Sequence, residues 1–266
     1  MKQTSLPNNR KKNKGLSILY LLLRLLVVVV IIDQFKSRDY ENIFLCILTL
    51  ILFSIPSFIE KKIHIDIPDT LEVIILLFIF SAEILGEIKT YYLIFPYWDT
   101  ILHTINGFLA AAIGFSLIDI LNKNDKFAIS LSPLFVALVA FCFSMTIGVL
   151  WELFEFSMDQ FFGFDMQKDT YLTSFQSVLL NEQGLNVPVK VNVESLVING
   201  EPWRAYIDLG LIDTMYDLLV NFIGAVVFSI FGYFYIKQRG KGNFLNRFIL
   251  RPNTQTYQKE IESSKQ

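Results

Sequence analysis

Residues 98–121 read WDTILHTINGFLAAAIGFSLIDIL. The stretch is as long as a helix needs to cross a bilayer core, about 20 residues. It nevertheless opens on Asp99 and carries one of the chain's two histidines, His103, one helical turn later. Five further apolar runs lie at about 16–32, 43–59, 70–89, 132–162 and 213–236. The fifth of the six runs is longer than a membrane needs and is expected to tilt or protrude. With 53% apolar residues and mean hydropathy +0.47, this pattern predicts an all-α polytopic membrane protein, a six-span helical bundle over 16–236.

Charge gives the bundle a direction. The formal net charge is only -2, which favours no nucleic-acid or acidic partner, so the informative quantity is how Lys and Arg divide between loops. Sixteen fall on the side that holds both termini, including Lys61, Lys62, Lys123 and Lys126, and six fall on the other. The positive-inside rule then makes the basic tail 1–15 and the tail 237–266 cytoplasmic. Arg10, Lys11, Lys12 and Lys14 before an apolar run look like the start of a signal peptide, but no small-residue cleavage site follows Ile32. The first run is therefore expected to stay as a span. Cys46 and Cys142 lie inside apolar runs, where a thiol packs as a small hydrophobe, and no disulfide or cysteine metal site is expected.

The outward loop 163–212 is the main feature outside the spans. Its stretch VPVKVNVESLVING, 187–200, alternates apolar and polar residues and ends on Asn199-Gly200. That pattern predicts a small strand pair capping the outer face. The tail from Asn253 is polar and expected to be disordered.

Acidic residues recur at one depth. Asp99 and His103 share a face of span four near its outer end. Glu152, Glu155 and Asp159 share one on span five, Asp213, Asp217 and Asn221 one on span six, and Glu83 and Glu87 one on span three. A charge at the bilayer centre costs about 2.5–3.5 kcal/mol on insertion scales, so such groups usually face a bundle interior or a wet cavity. They are expected to line one outward-opening pocket between spans three to six, with Gln167 as a further supporting residue. Gly107 with Ala111, and Gly224 with Ala225, would let the helices approach. Structural roles compete with this. Asp99 and Asp213 sit where helix starts select carboxylates, Asn221 could bond between helices, Trp98 and Trp151 suit an interface or packing, and Arg24 is expected to snorkel or pair with another span.

One imidazole among carboxylates is a hard, oxygen-rich set that suits Mg²⁺, Mn²⁺ or Ca²⁺ better than structural Zn²⁺. The metal ligands expected are His103, Glu152, Glu155, Asp213 and Asp217, with His103, Asp99 and Glu155 as the catalytic candidates. Glu152 is followed by Glu155 where a di-iron bundle would have Glu-x-x-His. His64 falls in a loop read as cytoplasmic and cannot supply a second imidazole to an outer site. Zincin, P-loop, Gly-x-Ser-x-Gly and Ser-x-x-Lys motifs are absent from the sequence. Without a cation, crowded carboxylates would share protons instead.

WDTILHTINGFLAAAIG, WELFEFSMD, GFDMQ and DTMYDLLVNFIGA, all between Glu83 and Tyr235, resemble the YjdF-like family of multi-span bacterial inner-membrane proteins. The order Asp99, His103, Glu152 or Glu155, Asp217, Asn221, Gly224, Ala225 is more remotely similar to the VanZ-like proteins, which are associated with the glycopeptide-antibiotic response. The insertion near 171–210 departs from the compact VanZ-like pattern. The resemblance implies a bacterial cytoplasmic-membrane setting and brings no reaction with it. The leading expectation is an outward pocket holding a divalent cation and a lipid-linked or envelope ligand, with membrane lipid as its surroundings and hydrolase or transferase chemistry. A proton- or cation-coupled transporter, or an envelope sensor or scaffold, are the alternatives.

Overall fold

A computed structural model describes residues 13–63, 65–122, 131–238 and 244–252. The basic residues before 13, His64, Lys123, Lys126 and the tail from Asn253 lie outside the described residues. The fold is mostly helical, with small two-stranded sheets. Five helices among the described residues are long and apolar enough to span a membrane: 14–37, 40–62, 98–122, 133–162 and 211–237.

The helices begin and end where local chemistry directs. Helix α1 (Lys14–Ser37) starts behind Asn13, whose side chain accepts the Gly15 N–H, and stops at Arg38 in the left-handed conformation. Helices α2 (Tyr40–Leu52) and α3 (Ile55–Ile63) are separated by Phe53 and Ser54. Pro56 is the cause, because it has no N–H for the carbonyl at 52 and its ring crowds that carbonyl. The third predicted span departs most from expectation. Residues 69–88 are helical but divide into α4 (Asp69–Ile79) and a π-helix (Phe80–Ile88). Divided in this way, and with Asp69, Glu72, Glu83 and Glu87 on it, this segment is not among the five helices of spanning length, so five of the six expected spans are displayed. A short helix α5 (Tyr91–Ile94) leads to α6 (Trp98–Asn122). Helix α7 (Pro133–Phe162) has proline in its first turn, where a missing N–H costs nothing, and Ser132 Oγ accepts the Phe135 N–H. It ends before Gly163, whose φ of 73° closes the helix. Helix α8 (Leu211–Lys237) completes the set.

By contact the described residues form two compact units, one drawn from within 1–148 and 220–266, the other from 149–219. Within the first, 56% of the α6 span is buried against 22% of the α1 span, so α6 is central and α1 peripheral. Association in lipid is driven by close packing and polar contacts rather than by water exclusion, and α6 shows both. A Cβ at Gly107 would overlap the carbonyl oxygen of Asn221, and one at Gly224 would overlap that of Thr104. The two glycines thus seat α6 and α8 backbone to backbone, as the small residues predict. Phe115 and Phe228 pack edge to face one level deeper. The described part of the C-terminal tail, 244–252, is built into this unit. Leu245, Phe248, Ile249 and Leu250 are buried, Leu250 N–H donates to Ser116 Oγ at 3.0 Å, and β8 (Arg251–Pro252) pairs with β1 (Ile65–Asp66).

The second unit carries three antiparallel strand pairs where one was predicted. They are β2 (Tyr171–Leu172) with β7 (Tyr206–Ile207), β3 (Ser174–Ser177) with β4 (Val189–Asn192), and β5 (Leu196–Ile198) with β6 (Glu201–Trp203). Asn199 and Gly200 join β5 to β6 with φ of 50° and 88°, the double positive φ of the tight hairpin turn that Asn-Gly selects.

Candidate functional site

The first turn of α6 presents Asp99 and His103 on one face, and the Asp99 Oδ1 lies 3.3 Å from His103 Nε2. His103 is buried while Asp99 keeps partial exposure. One turn deeper, the Asn106 amide donates to Asn221 Oδ1 at 3.1 Å, and Asn221 passes a longer contact on to Met145 Sδ at 3.7 Å. Ser144 Oγ donates to the Gly107 carbonyl at 2.8 Å, and a Cβ at Gly148 would come within 2.7 Å of Asn221 Nδ2. Asn221 is fully buried. Of the two roles weighed for it, bonding between helices is the one the geometry displays.

Asp99, His103 and Asp217 form a group in which each offers one ligand atom and these atoms lie within 4.8 Å of one another. His103 and Asp217 are buried. The donor chemistry fits a metal ion: two carboxylates and an imidazole whose 3.3 Å approach to Asp99 suits neighbouring donors about an ion with bonds of roughly 2.0–2.6 Å. The group could therefore hold a metal.

The remaining predicted residues divide by what they touch. Glu152 and Glu155 are buried, and Trp151 Nε1 donates to Glu155 Oε1 at 2.8 Å. Asp159 accepts the N–H groups of Met166 and Gln167 at 2.6 and 2.9 Å, so it ties down the chain that leaves α7. Gln167 Nε2 donates to Thr214 Oγ1 at 2.6 Å, and Asp213 Oδ2 accepts the Lys168 N–H at 2.8 Å. Asp159, Gln167 and Asp213 thus brace the loop against the start of α8. Glu83 is buried and Glu87 is half-buried on the π-helix.

Several polar contacts were not anticipated. Tyr20 O–H donates to the buried Glu72 at 2.6 Å, and the Arg24 guanidinium lies 5.4 Å from the centre of the Tyr20 ring. Lone polar residues inside apolar runs were the available signal for Tyr20 and Asn106. Glu72 was hidden by its place near a predicted span end, where a carboxylate needs no partner. Asp119, also buried, was hidden in the same way.

Comparison with known proteins agrees with this architecture. Residues 18–238 match the family model described as predicted membrane protein (DUF2238). An uncharacterised protein of Thermotoga maritima is 30% identical over 139 residues, which is 52% of this chain and 69% of that protein. No solved structure matches. Five apolar helices of spanning length and a family match over most of the chain make this a multi-pass membrane protein that belongs to the DUF2238 predicted membrane protein family.

Proposed function

We propose that the protein binds a divalent cation in an outward-facing site and uses it on a lipid-linked or envelope ligand, as a hydrolase or transferase of the bacterial cytoplasmic membrane. The observation that carries this reading is the close approach of Asp99, His103 and Asp217. Glu152 and Glu155 are the carboxylates assigned to complete the ligand set. The set favours Mg²⁺, Mn²⁺ or Ca²⁺ over Zn²⁺. A divalent ion held there would activate water or neutralise a phosphate, while the buried walls limit competing solvent.

Segment 69–88 is proposed as a sixth span, which puts both termini in the cytoplasm by the positive-inside rule. The YjdF-like and VanZ-like resemblances support the setting. A cavity of about 300 Å³ lined almost wholly by apolar side chains, including Leu71, Ile75, Leu109 and Ile113, lies deeper than the cation site and would take the apolar chain of a lipid-linked ligand, not its headgroup. Asn106 is its polar lining residue, one turn from His103.

The test is metal content by elemental mass spectrometry on protein purified without chelator, wild type against Asp99→Asn/Asp217→Asn of verified helicity. One equivalent of a divalent metal in the wild type and none in the variant is expected. Metal-free wild-type protein, or equal metal in both, refutes the reading and moves the same carboxylates to proton-coupled transport or sensing.

A further inference from the structure

The π-helix holds a carboxylate that the proposed cation site does not use. Its Lys89 N–H donates to the Ile84 carbonyl, five residues back, at 3.0 Å, the wide winding that proteins seldom adopt and often place at functional positions. The wider turn is held from outside: Trp98 Nε1 donates to the Ser81 carbonyl at 3.2 Å, and Gly86 abuts the Tyr92 ring so closely that a Cβ would come within 2.7 Å of its Cζ. Glu83 lies in the middle of this segment at 2% exposure, flanked by the buried Ile84, and its Oε2 has no hydrogen-bond partner among the described residues.

An ionised carboxylate in that position would lack the partner that burial demands. Desolvating an unpaired charge costs several kcal/mol or more, and a protein avoids the cost by keeping the group neutral. Glu87, one turn along the same helix, is a second carboxylate of the same sign. Two such carboxylates do not both ionise readily. The elements packed around the π-helix carry these titratable side chains: Tyr40, Glu41 and Cys46 on α2, Asp69 and Glu72 on α4, Tyr91 and Tyr92 on α5, and Asp99, His103 and Asp119 on α6. Cys46 is fully buried and within electrostatic reach of Glu83. Glu87 is half-buried and so offers a step between Glu83 and the surface.

We propose that Glu83 is a proton-binding site in the protein interior, a carboxylic acid that is neutral at rest and exchanges its proton with the outer surface by way of Glu87. The site is separate from the Asp99, His103 and Asp217 group, and it stands whether or not that group binds metal. It would give the protein a group able to couple a proton to ligand binding or movement.

Dicyclohexylcarbodiimide, an apolar reagent that adds to protonated buried carboxyls, tests this on the full-length protein in lipid vesicles. Modification is mapped by peptide mass spectrometry. Labelling of wild-type Glu83 near neutral pH is expected, with a rate that falls about tenfold per pH unit once the acid ionises. E87Q removes the like charge and should lower labelling of Glu83 at the same pH. E83Q replaces a neutral acid with a neutral amide, so its melting temperature should equal or exceed that of the wild type. Chelator should leave the labelling unchanged, which separates this test from the metal measurement. Absence of Glu83 modification in the wild type at every pH from about 5 to about 9, or a rate independent of pH over that range, would overturn the proposal.

Discussion

Gly107→Ala should destabilise the protein even though alanine is the better helix former. In an unobstructed helix interior the substitution gains about 0.8–1 kcal/mol. At Gly107, however, the new methyl would overlap the Asn221 carbonyl oxygen and lie 2.8 Å from its carbonyl carbon and 3.0 Å from its Cα. Carbon atoms prefer about 3.5–4.0 Å. The obstacle is backbone rather than the end of a flexible side chain, so α6 and α8 must separate along the whole contact. Overpacking of this kind costs about 1–3 kcal/mol. Separation also weakens the Asn106 to Asn221 hydrogen bond, worth about 0.6 and up to about 1.7 kcal/mol inside a membrane protein. The net expectation is a loss of about 1–3 kcal/mol, measured by reversible detergent-induced unfolding in mixed micelles. Gly15→Ala is the control, because a Cβ there meets just one side-chain oxygen at 3.6 Å and should be neutral or stabilising. Gly107→Ala combined with Gly224→Ala should cost less than the two singles together, since one separation relieves both overlaps. If Gly107→Ala proved as stable as wild type, the backbone contact between α6 and α8 would not exist as described.

Two smaller predictions concern the loop 163–212. Asn199→Val places a β-branched residue at a φ of 50° and should cost about 1–3 kcal/mol locally, seen as faster amide exchange in 196–203; unchanged exchange would count against the turn. Asp169, although exposed, is held above the usual carboxylate range by local desolvation, then by the neighbouring charges of Asp165, Asp208 and Asp159. The folded loop therefore binds this proton more readily than the unfolded chain, so stability is fullest below the ordinary aspartate pKa and is lost as pH rises through the raised one. Asp169→Asn should accordingly protect the loop from proteolysis at neutral pH and give no advantage in acid; an advantage that grew as pH fell would reverse the sign of this reasoning.

The elements that were legible share a cause: a single local requirement dictates them. A helix in lipid must satisfy its own backbone and therefore appears as a long apolar run, which is why α1, α6, α7 and α8 fall close to their predicted ranges. Asn199-Gly200 accepts a double positive φ at little cost, so the hairpin could be read from two letters. The Asp99 to His103 spacing could be read in the same way, because one helical turn brings residues four apart together whatever surrounds them.

What only the tertiary structure decided depends on how helices distant in sequence are set against one another. Asp217 joins Asp99 and His103 although 114 residues separate it from His103. Asn106 finds Asn221, Tyr20 finds Glu72, and residues 244–252 turn back into the bundle instead of trailing from it. The π-helix belongs with these, since the Trp98 and Tyr92 contacts that hold it come from outside its own segment. By itself the sequence determined that the chain enters a membrane, where its helices run, and which residues are too polar to face lipid. The pairing of Asn106 with Asn221 was set by close packing at Gly107 and Gly224, a contact that no single segment specifies because it exists only between two.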